Sequence, residues 1–102
     1  MPNRVYSDLA QLRTEVNQLI DQGRVRVHQH ARKAHPELSE IEQVAIVRYG
    51  GIIRRDKARD PGQGVYVCWG YLPSRGLCRA VFCVHRDGER DLVLIITAFR
   101  EE

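Results

Sequence analysis

The apolar positions near the amino terminus recur at helical spacing. Leu9, Leu12, Val16 and Leu19 stand three or four residues apart, and Ile20 follows Val16 by four. Residues at this spacing share one face of an α-helix. Ser7 or Asp8 can cap the first turn, and Gly23 can end the helix because glycine readily takes the left-handed conformation found there. The pattern therefore predicts an amphipathic helix that covers a sheet.

Residues 24 to 30 alternate between apolar and polar side chains instead. One side carries Val25, Val27 and Gln29, and the other carries Arg24, Arg26, His28 and His30. Alternation is typical of a half-buried strand, here with a basic exposed face that bears two histidines. A short helical turn over residues 31 to 35 is expected to end at Pro36, because the residue before proline disfavours helix.

Ser39 and Glu42 stand three residues apart at the start of another helical pattern. In this arrangement, a capping box, the serine side chain caps the glutamate amide and the glutamate reaches back to the serine amide. The pair predicts the start of a second main helix, which Gly50 and Gly51 end. A strand is expected to begin at Ile52.

Three later segments are rich in β-branched and aromatic residues, from 65 to 72, from 77 to 85 and from 92 to 99. Turn sequences around Pro73 and Gly88 separate them, and consecutive strands with tight turns form an antiparallel meander. The predicted fold class is α+β, with two main helices on a twisted antiparallel sheet of four to five strands. At 102 residues and 43% hydrophobic composition, residues 1–102 are expected to form a single domain.

The basic residues are concentrated between positions 24 and 59, although the net charge is only +3. This stretch carries nine arginine and lysine residues against four acidic residues, a local excess of five. Binding to a polyanion would therefore depend on where the charges lie. Nearly all the cations are arginine, which suits bidentate phosphate contacts, although a GC-rich genome would produce the same bias.

The three cysteines, Cys68, Cys78 and Cys83, lie in predicted strands without a CxxC motif. An odd number in this pattern argues against a disulfide framework or a zinc knuckle, so we expect buried thiols. The longest apolar run, Leu92 to Ile96, is too short for a bilayer, and no segment resembles a signal peptide. We expect a cytoplasmic protein that does not contact membranes.

A short set of motifs resembles a known group of proteins. The motifs are the junction His30-Ala31-Arg32-Lys33, the serine that opens a helix at Ser39, and the closing Thr97 and Phe99. They resemble the small domains allied to BrnT-like toxins, within the RelE/ParE-type fold. The resemblance covers residues 24–100 and leaves residues 1–23 as an N-terminal helical extension. This chain departs from the group at His35-Pro36, where a second arginine is common.

The resemblance implies a RelE-like sheet, ribonuclease activity and a protein antitoxin that blocks the active face. Gyrase-directed toxins share the fold without cleaving RNA, so the fold alone does not determine the activity. Metal-independent RNA cleavage needs a group that takes the 2′-hydroxyl proton and cations beside the phosphate. The candidate catalytic residues are His30, Arg32, Lys33 and Thr97, and the candidate nucleic-acid-binding residues are Arg26, His28, Arg54 and Arg100.

Two other site chemistries use residues from the same segments. His28 and His30, with His35 as a third ligand, would suit zinc, but no carboxylate or cysteine completes the set and no metal site is predicted. On one predicted strand, Tyr66 lies on one face, and Trp69 and Tyr71 lie on the other. One set is therefore expected in the core, while aromatic rings on an open sheet face can stack on unpaired bases.

Three hypotheses follow from the sequence. The first is a toxin-type endoribonuclease that uses general acid–base chemistry, needs no cofactor, and has RNA and a protein antitoxin as partners. The second is a non-catalytic module that binds nucleic acid or protein through the same basic face. In the third, the basic surface serves solubility alone. The sequence does not specify an oligomeric state.

Overall fold

The computed structural model describes residues 3–34, 37–57, 59, 61–88 and 90–101. Across these residues the chain forms three α-helices, five strands and one short 3-10 turn, Pro61–Gln63. The helices are α1 (Leu9–Asp21), α2 (Gln29–Ala34) and α3 (Glu40–Tyr49). The strands are β1 (Val25–Val27), β2 (Ile52–Arg55), β3 (Val65–Leu72), β4 (Gly76–Asp87) and β5 (Arg90–Arg100). The α+β class is confirmed.

The five strands form one mixed sheet in the order β1-β5-β4-β3-β2. The pairs β2–β3, β3–β4 and β4–β5 are antiparallel, as the tight turns predict. Strand β1 runs parallel to β5, so the prediction of a wholly antiparallel sheet is wrong at this edge. A turn sequence fixes the direction of the next strand only, whereas β1 pairs with the last strand of the chain.

The predicted helix caps are confirmed. The Asp8 carboxylate accepts a hydrogen bond from the Ala10 amide at 2.9 Å, and Gly23 follows α1 with a φ of +76°. Ser39 Oγ accepts from the Glu42 amide at 3.1 Å, and the Glu42 carboxylate accepts from the Ser39 amide at 2.9 Å. These bonds satisfy backbone groups that the first turn of a helix leaves unpaired.

All three helices pack on the same face of the sheet, where the main core lies. The fully buried helical residues include Leu12 and Val16 of α1, Ala31 of α2 and Val47 of α3. They pack in one cluster with sheet residues that include Tyr66, Cys68, Phe82, Val84, Val93, Ile95 and Ala98. Helix α1 therefore contributes directly to the core of the predicted single domain.

The cysteines are buried and unbridged, as predicted. Burial raises the pKa of the Cys68 thiol to about 12 and that of Cys83 to about 11, and it also raises the pKa of Cys78. Thiols held in the protonated form are poor nucleophiles. Among the described residues, no helix has the length and apolar character needed to cross a membrane.

Candidate nucleic-acid interface

The face of the sheet opposite the helices, called the open face below, carries a second and smaller apolar cluster. Val65, Val67 and Val81 form its centre, and Trp69 and Ile96 pack against them. No described helical residue belongs to this cluster. The three valines are nevertheless only 6–8% exposed, so large neighbouring side chains shield them. Those neighbours determine what the open face can bind.

Two arginine–aromatic pairs flank the valines. The guanidinium carbon of Arg54 lies 4.8 Å from the ring centroid of Trp69, and that of Arg79 lies 4.6 Å from the ring centroid of Phe99. Such cation–π contacts contribute about 0.5–1 kcal/mol at exposed sites and hold the cation against the ring. The cross-strand register explains them, because Arg79 sits directly opposite Phe99. Arg54 sits opposite Val67 and is therefore a diagonal neighbour of Trp69, two residues further along β3. Fixed cations and aromatic rings therefore alternate across the open face.

Tyr71 adds an exposed aromatic ring to the open face. It lies two residues after Trp69 on β3 and is 79% exposed. Tyr66, earlier on β3 and on the opposite face, is fully buried, and its hydroxyl accepts a hydrogen bond from the Tyr6 amide at 2.7 Å. The predicted division of the β3 aromatics between core and surface is confirmed.

Glu101 is the acidic member of this face. Trp69 Nε1 donates to one Glu101 carboxylate oxygen at 3.4 Å, and Arg79 Nε lies 3.8 Å from the other. The Glu101 amide donates to the Leu77 carbonyl at 2.8 Å, which holds the chain end against β4. Glu101 therefore neutralises part of the Arg79 charge. The Arg54 guanidinium instead stacks on the ring of Trp69.

A groove of about 320 Å³ extends the basic surface around the β2 edge. It is lined by Ser7, Leu9, Arg54, Arg55 and Lys57. Arg55 is anchored from the other side of the strand, since its guanidinium donates to the Tyr6 carbonyl at 3.3 Å. Three cations thus border one apolar groove, an arrangement that suits a polyanion with apolar bases.

The predicted histidine strand ends earlier than expected. β1 stops at Val27, and the His28 carbonyl already accepts from the Ala31 and Arg32 amides, so α2 begins at Gln29. His28 Nδ1 accepts from the His30 amide at 3.0 Å and thereby caps the first turn. The placement of His30 on a strand face is therefore wrong: it is an exposed residue of the helix. A local side-chain cap outweighed the alternating pattern.

Arg32 and Lys33 lie in the last turn of α2, and both are exposed. Arg32 pairs with Glu40 at 3.2 Å, and both side chains are about half exposed, at 52% and 55%. An exposed ion pair of this kind contributes little stability, so an anionic ligand can compete for the arginine. Lys33 extends the same basic end of α2.

Thr97 and Arg26 both face the open side of the sheet. Arg26 lies opposite Leu94 on β5, between Val25 and Val27 of the core face. A β-bulge at Ile96 shifts the register, so Val81 lies opposite Thr97. The His28 amide donates to the Ile95 carbonyl at 2.8 Å, two residues or about 7 Å along the strand from Thr97. The start of α2 is therefore bonded to β5 two residues before Thr97, although α2 packs on the helical face and the Thr97 side chain lies on the open face.

Arg100 lies on the other side of the sheet, so the structure does not include it in this cluster. It pairs with Cys78, a residue of the main core, and its Nε donates to the Arg75 carbonyl at 3.1 Å. Arg54 is on the open face but on β2, the edge strand opposite β1. Four strand spacings of about 4.8 Å separate these edges by roughly 19 Å. The predicted residues therefore form an extended surface rather than one compact pocket.

Sequence reasoning missed Arg79 and Glu101. Arg79 was detectable in principle, because Leu77, Arg79, Val81 and Cys83 alternate along β4 and must share one face. Glu101 follows the last strand and had no motif of its own. Its position depends on the register of β4 against β5, which a β-bulge shifts and no local pattern specifies.

No metal centre is apparent in the part of the chain that the structure describes, where no three histidine, cysteine or acidic residues gather closely enough. His35, the third ligand of the zinc alternative, lies outside the described residues. Comparison of this chain with known protein families, curated proteins and solved structures gave no match.

Proposed function

We propose that this chain is a toxin-type endoribonuclease that binds single-stranded RNA across the open face and is held inactive by a protein antitoxin. The observation that carries the proposal is the sheet face opposite the described helices, on which Arg54 stacks on Trp69, Arg79 stacks on Phe99, and Tyr71 is exposed. A RelE-like arrangement, implied by the motifs of residues 24–100, is part of the same proposal. One strand, two helices and a four-strand meander in that order support it.

Single-stranded RNA is the substrate class that this chemistry favours. Aromatic rings stack on unpaired bases, and arginine contributes both phosphate contacts and cation–π stacking. A duplex hides the flat faces of its bases inside the helix and is recognised mainly by its shape and backbone. An exposed tyrosine beside fixed guanidinium groups therefore fits an unpaired strand.

Cleavage is proposed at the edge of the sheet where α2 begins, beside the end of β5 that carries Thr97 on the open face. There the 2′-hydroxyl oxygen attacks the adjacent phosphorus, a new P–O2′ bond forms and the P–O5′ bond breaks. His30 takes the hydroxyl proton, and water protonates the departing 5′ oxygen. Arg32 and Lys33 stabilise the charge that develops on the phosphate. The products are a 2′,3′-cyclic phosphate and a 5′-hydroxyl end.

Substitution of Tyr71 by alanine should weaken binding to an unstructured oligoribonucleotide by about 5- to 150-fold. This range corresponds to the roughly 1–3 kcal/mol that one base–aromatic stack contributes. Because the ring is 79% exposed, the melting temperature should change little. Fluorescence anisotropy at fixed salt measures the affinity, and circular dichroism measures the stability.

Tyr49→Ala is the matched control. Tyr49 is 76% exposed but lies at the end of α3, on the helical side, so its loss should leave RNA binding unchanged. The dependence of affinity on salt concentration separates stacking from charge. Tyr71→Ala should leave the slope of log affinity against log salt concentration unchanged, whereas Arg54→Gln should reduce its magnitude by about 0.7. If Tyr49→Ala and Tyr71→Ala lose the same RNA-binding affinity, the open face is not the RNA-binding surface.

Purified protein should cleave unpaired RNA in the presence of EDTA and leave 2′,3′-cyclic phosphate ends, and its expression without a partner should arrest bacterial growth. End-group analysis of labelled RNA checks the chemistry, and growth after induction checks the toxin assignment. Binding without cleavage would favour the second candidate, a non-catalytic nucleic-acid-binding module. The wide separation of Arg54 from the α2 junction is the observation that favours this alternative.

A further inference from the structure

Strand β1 has a free outer edge. The Arg24 carbonyl accepts from the Val93 amide at 3.0 Å, and the His28 amide donates to the Ile95 carbonyl at 2.8 Å. Because the backbone groups of successive strand residues point to opposite edges, those of Val25 and Val27 point away from β5. β1 is also the terminal strand of the sheet, and no described strand pairs with its outer edge. This edge can therefore accept another strand.

An apolar groove of about 320 Å³ lies along this edge, between β1 and α3, and is called the edge groove below. Its lining residues are Val25, Val27, Glu40, Ile41 and Val44. Val27 is almost fully buried, whereas Ile41 is 83% exposed. A lone exposed isoleucine needs no explanation. Here it stands beside a second apolar helix residue and the unpaired strand edge, so apolar contacts and backbone hydrogen bonds are available together.

The charge around the edge groove selects the kind of occupant. Residues 24 to 33 include four cations, Arg24, Arg26, Arg32 and Lys33, and no acidic residue. Glu40, which lines the edge groove, pairs with Arg32 at 3.2 Å, so these five residues together carry an excess of three positive charges. A second copy of this chain paired along β1 would bring Arg24 and Arg26 against the same residues of the other copy. Like charges placed opposite each other destabilise strand pairing. An acidic strand would instead complement this edge.

We propose that the β1 edge and the edge groove bind an extended acidic segment of a protein partner, with apolar residues at alternate positions. The segment pairs with the backbone of Val25 and Val27, as in other cases of strand addition to a sheet edge. Its apolar side chains enter the edge groove beside Val44 and Ile41, and its carboxylates meet the cations of residues 24 to 33. This inference does not depend on RNA cleavage or on the open face.

The test uses a synthetic seven-residue peptide of alternating valine and glutamate, blocked at both ends. Isothermal titration should show binding that weakens as salt is added. Amide exchange measured by NMR should slow at Val25 and Val27 and stay unchanged at Arg26, which faces β5. A peptide with lysine in place of glutamate should bind at least tenfold more weakly.

The matched variants are Ile41→Asn and Tyr49→Asn, which replace exposed apolar residues at opposite ends of α3. The first should weaken binding of the acidic peptide about tenfold, and the second should leave it unchanged, with both proteins folded. Equal binding of the acidic and basic peptides, or no change in amide exchange at the two valines, overturns the proposal. The proposal is also overturned if self-association slows exchange at these two amides, or if RNA slows it and the peptide does not.

Discussion

Replacement of His30 by alanine should lower the turnover number for RNA cleavage by about 10²- to 10⁴-fold, the usual contribution of general acid–base catalysis. The loss should appear in kcat rather than KM, because the imidazole moves a proton and does not anchor the substrate. The melting temperature should stay nearly unchanged, since His30 is exposed and alanine favours the helix. Steady-state kinetics in EDTA measure the loss of kcat, and thermal melts measure the melting temperature.

His85→Ala is the control for the histidine substitution. His85 is half-buried on β4, with its Nδ1 3.2 Å from the Asn3 amide oxygen, and takes no part in the proposed reaction. Its loss should leave turnover intact. A fall of less than tenfold for His30→Ala would transfer the main role to Arg32 and Lys33. Unfolding of His30→Ala would contradict the placement of this residue at the surface of α2.

Substitution of Gly50 by alanine should destabilise the fold by about 3 kcal/mol, at the upper end of what overpacking usually costs. A β-carbon there would lie 2.5 Å from the Ile46 carbonyl oxygen and 2.8 Å from that of Trp69. Both are backbone atoms, so neither can move without shifting α3 or β3. The melting temperature should fall by about 10 °C or more. Urea unfolding and thermal melts provide the measurement.

Gly51→Ala is the neighbouring control, because a β-carbon at that position meets no atom within 4 Å. The backbone at Gly50 has a φ of −60°, which any residue can adopt, so the expected loss comes from contacts rather than from conformation. If both variants melt at the same temperature, the close packing of α3 on β3 is not a determinant of stability. RNA binding by the open face should survive in Gly51→Ala.

The helices and the meander could be predicted because their signals are local. A cap such as Asp8 or Ser39 acts within three residues, and a turn such as the one at Gly88 fixes the direction of the next strand. The end of β1 could not be predicted in the same way. Alternation from Arg24 to His30 favours a strand, but the His28 side chain caps a helix turn after Val27.

The positions of the candidate site residues depend on both local and distant information. The α2 junction and Thr97 were selected from short motifs; in the structure His28, just before α2, bonds to Ile95 of β5, two residues before Thr97. Arg79 and Glu101 reach the open face only through pairing between β4 and its neighbours. Arg100 was assigned to the cluster from its position at the strand end, yet it contacts the Arg75 carbonyl on the helical side.

The sequence by itself determined the α+β class, the capped helices, the antiparallel meander and the burial of the cysteines, because caps, turns and hydrophobic spacing act over a few residues. Tertiary structure alone decided the parallel pairing of β1 with β5 and which side chains lie on the open face. The β-bulge at Ile96 is the clearest case: it reverses which residues of β5 face the helices, so Thr97 and Phe99 face outward. Such a shift depends on how two strands pair across the sheet, and a pattern along one strand does not specify it.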